Sequence, residues 1–164
     1  MPWHRPSTLI TRVELLADRV RLHCRVQEEP TEPVAPASLW THPTQGDSAY
    51  DLHRVLTRSE SSLVFETFEV EKRDPPRQGQ TLYLQSHWLP ETMRAALDQT
   101  AIWERRVYPG EVGDHDHCLF TWETISSYAG AKEGYWTEKY GWITTQAYED
   151  FIIKDIYHLR ASDA

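Results

Sequence analysis

Residues 19–26 alternate strictly between polar and apolar side chains. The apolar set is Val20, Leu22, Cys24 and Val26, and the polar set is Arg19, Arg21, His23 and Arg25. A period of two is typical of a strand with one buried face, because successive side chains point to opposite sides. The pattern predicts a β-hairpin over 8–14 and 19–26 that turns at Ala17-Asp18. Cys24 should then be a buried, apolar thiol and not a nucleophile.

The polar face of this strand carries three arginines, Arg19, Arg21 and Arg25. Such a row could bind an anion. It could also be a solvated strand face or a charged edge that resists aggregation, and this structural interpretation is the expectation.

The next segment, 27–48, contains Pro30, Pro33, Pro36 and Pro43 and a turn signal at 45–48. Proline lacks the N–H that a central strand needs, so the segment is predicted to be a long surface loop, with Leu39 and Trp40 as an anchor onto the core. Strands resume at about 50–57, 62–71 and 80–86, and their short connections favour an antiparallel meander, either a curled sheet or a small barrel.

The rest of the chain predicts two helices and a hairpin. Leu89-Pro90-Glu91 begins a helix that Tyr108-Pro109-Gly110 ends. Its apolar stripe, expected to pack on the sheet, is Met93, Ala96, Leu97, Thr100 and Trp103. Residues 133–143 predict a hairpin, and a final helix starts near 145 with Thr144 or Thr145 as its N-cap. That helix has the stripe Tyr148, Phe151, Ile152, Ile156 and Leu159. The expected fold class is α+β.

Composition narrows the function classes. The chain has 164 residues and a net charge of −8, from 17 Lys+Arg against 25 Asp+Glu. This charge disfavours nucleic acid as the main partner. Two distant cysteines do not make a disulfide framework, and no apolar run reaches membrane-spanning length. Residues 1–82 carry a net charge of −2, and residues 83–164 carry a net charge of −6. We expect a cytoplasmic protein with a β-rich region over 1–106 and a hairpin–helix module over 107–164, together forming one compact unit.

The C-terminal segment carries His115-Asp116-His117-Cys118, then Gly134-Tyr135, then Trp142-Ile143 and Phe151. A cysteine-bearing turn followed by a hairpin and a helix is the layout of treble-clef and zinc-ribbon modules, in which two C-x2-C pairs hold one Zn²⁺. The segment resembles the C-termini of small, uncharacterised bacterial proteins of this kind.

The resemblance implies ligand positions that hold Cys118, Thr121, Thr144 and Ala147 in this chain, so three of the four thiols are missing. A lone thiolate cannot hold structural zinc, and the module is expected to be metal-free and held by aromatic packing. The aromatic residues expected to supply it are Trp122, Tyr135, Trp136, Tyr140, Trp142, Tyr148, Phe151 and Tyr157.

A different metal site could use His115, His117 and Cys118, whose ligand chemistry suits Zn²⁺ or Ni²⁺. His115 and His117 offer only two imidazoles on one side, so a third ligand must come from elsewhere, and a polar loop with hydrogen-bonded histidines is the expectation. The candidates for that ligand are His42, His53, His87 and His158. There is no phosphate-binding loop, no G-x-S-x-G and no H-E-x-x-H, so no catalytic residue is assigned and no cofactor is expected.

These patterns indicate a protein-binding protein, in its specific form an immunity or antitoxin-like inhibitor of a toxin, with a basic toxin as the candidate partner. The expected partner-binding residues are Glu133, Trp136, Glu138, Tyr140 and Trp142. The alternatives are a metal-binding protein or metal-dependent enzyme that uses the histidine–cysteine cluster, and a small-ligand or oligonucleotide module on the arginine row. The oligomeric state stays open.

Overall fold

The computed structural model of the chain describes residues 5–28, 35–43, 50–67 and 75–160. Packing divides the chain into two compact units, which we call the barrel unit (Met1–His87 with Ile156–Ala164) and the second unit (Trp88–Asp155). The sequence placed the division at 106/107. The packing places it earlier because the segment just before 107 pairs with the C-terminal hairpin.

Six strands form the barrel unit: β1 (Ser7–Leu15), β2 (Val20–Glu28), β3 (Pro36–Trp40), β4 (Tyr50–Arg58), β5 (Ser62–Thr67) and β6 (Thr81–Ser86). They form a closed barrel in the order β1-β2-β5-β4-β3-β6, and all neighbours are antiparallel. An antiparallel sheet within an α+β chain is therefore confirmed, although sheet dominates and the helices are short. The predicted extension of the strand at 62–71 beyond Thr67 lies outside the described residues.

The hairpin predicted from the alternation is confirmed. β1 pairs with β2, and the Leu16 N–H donates to the Arg19 carbonyl at 2.9 Å across the turn. Leu22 and Cys24 point into the barrel core, and burial raises the pKa of the Cys24 thiol to about 12. A thiol with so high a pKa is almost fully protonated at neutral pH, so Cys24 packs and does not react.

The predicted loop over 27–48 is wrong for its central part, because β3 is a strand between β4 and β6. Pro36 is the first residue of β3, a position where the missing N–H is tolerated. Leu39 lies fully buried in the core, as the anchor prediction required. The predicted meander is also wrong, since β2 pairs with β5 and not with β4, the next predicted strand. The predicted turn at 45–48 lies outside the described residues.

The outer face of the barrel carries a buried carboxylate. The side chain of Glu66 on β5 is 0% exposed although it points away from the core. Arg54 donates to its Oε1 from Nε at 3.2 Å and from Nη2 at 2.9 Å, and Arg19 Nη1 donates to Oε2 at 3.3 Å. Burial acts to raise the pKa of Glu66, but Arg54 and Arg19 outweigh it and the net effect is a lowered pKa. Glu66 therefore stays ionised beneath guanidinium groups.

The second unit begins with α1 (Pro90–Leu97) and β7 (Glu104–Val107), followed by β8 (Asp116–His117), β9 (Thr124–Ile125), β10 (Glu133–Thr137), β11 (Gly141–Thr144) and α2 (Thr145–Ala147). A π-helical segment over Tyr148–Ile153 continues α2. The strands form a three-stranded sheet in the order β11-β10-β7 and a separate β8-β9 pair. None of the helices in the described ranges is both long enough and apolar enough to cross a membrane.

Both predicted helices end earlier in the structure. α1 stops at Leu97 because Asp98 accepts hydrogen bonds from the Thr100 N–H at 2.9 Å and the Thr100 hydroxyl at 2.6 Å, which favours a turn. Residues predicted to continue the helix instead form β7. The final helix begins as predicted, with Thr144 Oγ1 accepting from the Ala147 N–H at 3.1 Å. It ends by Ile153, and Ile156 belongs to the barrel unit, where its carbonyl accepts from the Val55 N–H at 2.7 Å.

Candidate partner-binding surface

The segment 111–123, which we call the acidic loop, connects β7 to β9 and includes β8. Its first turn is closed by two hydrogen bonds: the Asp114 N–H donates to the Glu111 carbonyl at 3.0 Å, and the Glu111 N–H donates to Asp114 Oδ2 at 3.3 Å. Gly113 sits in this turn with a φ of 101°, a conformation that only glycine adopts without strain. The turn therefore has a defined shape.

The second turn of the acidic loop runs from Cys118 to Glu123. The Trp122 N–H donates to the Cys118 carbonyl at 2.8 Å, and the Cys118 N–H donates to the Glu123 carbonyl at 2.8 Å. These bonds bring the chain back on itself and hold Trp122 at a φ of 64°. A tryptophan in the left-handed region is strained, because its Cβ crowds the backbone.

The Trp122 side chain is 73% exposed. Its ring stacks on His117 with centroids 4.5 Å apart and planes inclined by 13°, and His115 meets His117 edge-on at 5.0 Å. Stacking restricts the rotamers of Trp122 without burying it. The result is a positioned, solvent-facing indole, the kind of group that contributes most to protein interfaces.

Four carboxylates lie close to Trp122 in the sequence. Glu111, Asp114, Asp116 and Glu123 are all exposed, and none of them forms an ion pair within the described part of the chain. Their charge reaches the nearby Tyr108, whose pKa is raised by burial and further by Asp116 and Asp114. The acidic loop therefore combines an exposed aromatic ring with unneutralised negative charge.

The five residues predicted to bind a partner lie on or next to the β10–β11 hairpin, in different environments. Glu133 is exposed and pairs with Arg105 at 2.8 Å, and Glu138 is exposed. Trp136 is half-buried, with the Arg106 guanidinium 4.0 Å from its ring centroid. Tyr140 is half-buried and its hydroxyl donates to Asp98 at 2.7 Å.

Trp142 is only 7% exposed and packs against Tyr108 with ring centroids 5.3 Å apart. Its ring therefore belongs to the interior of the second unit. Trp142 faces Trp136 across the hairpin, and Tyr108 follows β7 on the other side of β10. That third segment was missing from the predicted hairpin, because the sequence assigned it to a helix.

The alternative metal cluster is not brought together as a ligand set. His117 contacts both His115 and Trp122, whereas Cys118 is fully buried and its Sγ accepts a hydrogen bond from the Thr144 N–H at 3.4 Å. Across the described ranges, no group of three or more His, Cys, Asp or Glu side chains is arranged to hold a metal ion.

Sequence reasoning missed Trp122 as a surface residue and assigned it to the aromatic packing of the module. The signal that could have identified it is its position directly after Thr121, in a turn rich in carboxylates. The packing prediction holds for Tyr135, which stacks on Tyr148 at 3.7 Å.

Comparison of the chain with protein-family models, with curated proteins and with solved structures found no match.

Proposed function

We propose that this chain is a protein-binding protein that contacts a basic partner through the acidic loop. The observation that carries the proposal is Trp122, which is 73% exposed in a left-handed backbone conformation. Strained residues persist where the surrounding structure imposes them, and they concentrate at functional positions. An exposed tryptophan contributes little to the stability of an isolated fold, whereas at an interface it is a preferred anchor.

The charge of the second unit supports a basic partner. Residues 88–155 contain 12 acidic and 6 basic side chains, a balance of −6. Four of those six cations, Arg105, Arg106, Lys139 and Lys154, are already paired with acids. A partner with a cationic surface would be attracted over distance, and binding would weaken as salt screens the charges.

In its specific form, the proposal is an immunity or antitoxin-like inhibitor of a basic toxin that acts in the bacterial cytoplasm. Two features support this version: an acidic contact surface and the lack of a catalytic motif in the sequence. An inhibitor must bind tightly and needs no chemistry of its own.

We infer that the fold of the second unit is a degenerate treble clef. The support is local: Cys118 begins a tight turn, the β10–β11 hairpin follows, and α2 starts directly after Thr144. Cys118 Sγ lies 3.8 Å from Thr144 Oγ1, so two of the four implied ligand positions converge. On this assignment Trp122 follows the second ligand position, and its left-handed backbone is inherited from the metal-binding turn.

The binding proposal is tested by replacing Glu123, the exposed neighbour of Trp122, with a photo-crosslinking amino acid in the organism that encodes the chain. The captured protein is then purified and its affinity measured. We expect a basic partner whose affinity falls by about 30-fold with Trp122→Ala, since interface tryptophans contribute 2 kcal/mol or more. Tyr128→Ala removes another exposed aromatic ring of the second unit and is the matched control. Failure to capture a protein, or equal affinity of the Trp122→Ala variant, would contradict the proposal.

A second prediction separates binding from stability at the same residue. Trp122→Gly should be about 1 kcal/mol more stable than Trp122→Ala, because only glycine relaxes at a φ of 64° and both variants lose the His117 contact. Urea unfolding of the two variants measures the difference. Both should bind the partner equally weakly. A Trp122→Gly variant no more stable than Trp122→Ala would show that the backbone there is unstrained.

A further inference from the structure

The barrel unit carries a cationic cluster on its outer face, far along the sequence from the acidic loop. Cross-strand pairing places Arg21 on β2 beside Glu66 on β5, and Glu66 beside Arg54 on β4. Arg19 reaches the same carboxylate from the turn before β2. Three guanidinium groups therefore converge on one buried carboxylate.

The solvent side of this cluster is cationic. Glu66 is 0% exposed, whereas the side chains of Arg19, Arg21 and Arg54 are 30%, 34% and 43% exposed. A molecule that approaches from solvent meets guanidinium groups before it meets the carboxylate. Since one carboxylate cannot neutralise three arginines, the cluster keeps positive charge even though Asp18 pairs with Arg19.

Arg21 differs from its neighbours because its guanidinium group makes no hydrogen bond within the described ranges. Its Nη2 lies 3.7 Å from Glu66 Oε1 and its Nη1 lies 3.8 Å from Glu14 Oε2, both beyond hydrogen-bond distance. Its Nε is buried without a partner. By contrast, Arg19 and Arg54 each make at least two charge-assisted hydrogen bonds. Arg21 is held in place by charge while its donors stay unused.

We propose that Arg21, with Arg54 and Arg19 beside it, binds the oxyanion of a phosphate-bearing small molecule. Glu66 holds the guanidinium groups together, so the cost of ordering long side chains and of overcoming their mutual repulsion is met before the ligand arrives. The terminal nitrogens of a guanidinium match two oxygens of a phosphate, and this bidentate geometry favours arginine over lysine. The site goes beyond the proposed partner binding and shares no residue with it.

The other charged side chains around Arg21 determine the net charge that a ligand would meet there. Glu14 faces it from β1, and Glu14 is itself paired with Arg12 at 3.1 Å and with His23 at 2.7 Å. Together Arg12, Arg19, Arg21 and Arg54 face Glu14, Asp18 and Glu66, four cations against three anions. The local balance is positive in a chain whose net charge is −8, so non-specific attraction of anions elsewhere is weak.

The test is calorimetric titration of the full chain at low salt with inorganic phosphate, pyrophosphate and ATP in separate experiments. We expect saturable binding of at least one of them at one site per chain. Arg21→Ala and Arg21→Lys should each weaken it by about tenfold or more, since a charge-assisted bidentate contact is lost. Arg25→Ala, on the same strand and exposed, should leave it unchanged. If inorganic phosphate binds, a free oxyanion is sufficient for binding. If only ATP binds, the ligand of the site is a nucleotide.

Two results would overturn the proposal. One is the absence of saturable binding of all three anions up to about 10 mM, which corresponds to less than about 3 kcal/mol. The other is an equal loss of binding in Arg25→Ala and Arg21→Ala, which would show diffuse attraction and no site. Arg21→Lys keeps the charge beside Glu66, so it separates loss of the bidentate contact from loss of the fold, and circular dichroism of each variant checks folding.

Discussion

Glu66→Gln should lower the free energy of unfolding of the barrel unit by about 3 kcal/mol. The substitution keeps the shape of the side chain but removes the negative charge that is buried among Arg19, Arg21 and Arg54. The three guanidinium groups then repel one another, and removing one partner of a buried ion cluster typically costs 3–5 kcal/mol. The lower end applies here because solvent reaches the arginines and screens part of their repulsion.

Urea unfolding followed by circular dichroism measures this loss, with Glu60→Gln as the matched control at an exposed position. The pH dependence gives a second check. Because the folded-state pKa of Glu66 is lowered, its stabilisation is fully present above the ordinary glutamate pKa and is lost as the pH falls through the folded-state pKa. The gap between wild type and Glu66→Gln should therefore shrink in acid. A loss below about 1 kcal/mol at neutral pH would show that the cluster is an ordinary surface network.

Three added thiols should give the second unit a tight zinc site. In the variant Thr121→Cys/Thr144→Cys/Ala147→Cys, the thiols join Cys118 at the positions that the treble-clef resemblance implies. The 3.8 Å between Cys118 Sγ and Thr144 Oγ1 equals the sulfur–sulfur separation of about 3.8 Å in tetrahedral zinc with Zn–S bonds near 2.3 Å. The Thr144 N–H already donates to Cys118 Sγ at 3.4 Å, a contact that would stabilise a zinc-bound thiolate.

Elemental analysis of the variant refolded with zinc, and the absorption of its cobalt form, measure the outcome. Structural zinc sites bind with roughly 10–16 kcal/mol, so one zinc per chain should survive gel filtration and raise the melting temperature. The control Thr121→Cys/Thr145→Cys/Ala147→Cys moves one thiol by a single residue onto the exposed Thr145 and should bind weakly. A folded but zinc-free variant, or equal binding by the control, would count against the treble-clef assignment and leave the partner-binding proposal untouched.

The strands of the barrel were predictable where alternation was strong. β1 and β2 follow from the period of two around Cys24, because one face is buried and the other is solvated. β3 was not predictable, because the prolines around it dominate the local signal and its place in the barrel depends on long-range pairing with β6. Leu39 and Trp40 were the local signs of burial.

The candidate surface was harder to predict, because exposure depends on tertiary packing. Apart from the carboxylates near Trp122, nothing in the sequence distinguishes this exposed residue from Trp142, which Tyr108 covers. Helix ends were similarly hidden: Asp98 stops α1 by accepting hydrogen bonds from Thr100 and from the distant Tyr140. The cationic cluster was visible as the row of Arg19 and Arg21, but its buried carboxylate came from a strand 45 residues further along the chain (Arg21 to Glu66).

The barrel unit is discontinuous in sequence, since the whole second unit lies between His87 and Ile156. During synthesis the six strands leave the ribosome first, and the segment that hydrogen-bonds to Val55 and packs Tyr157 on the core follows only after the second unit. Because protein units tend to fold as they emerge, the barrel must either close without this segment or wait for it. Ribosome-bound chains that end before and after residue 156 distinguish these two orders, because the protease resistance of the six strands differs between them only when the barrel waits for the segment.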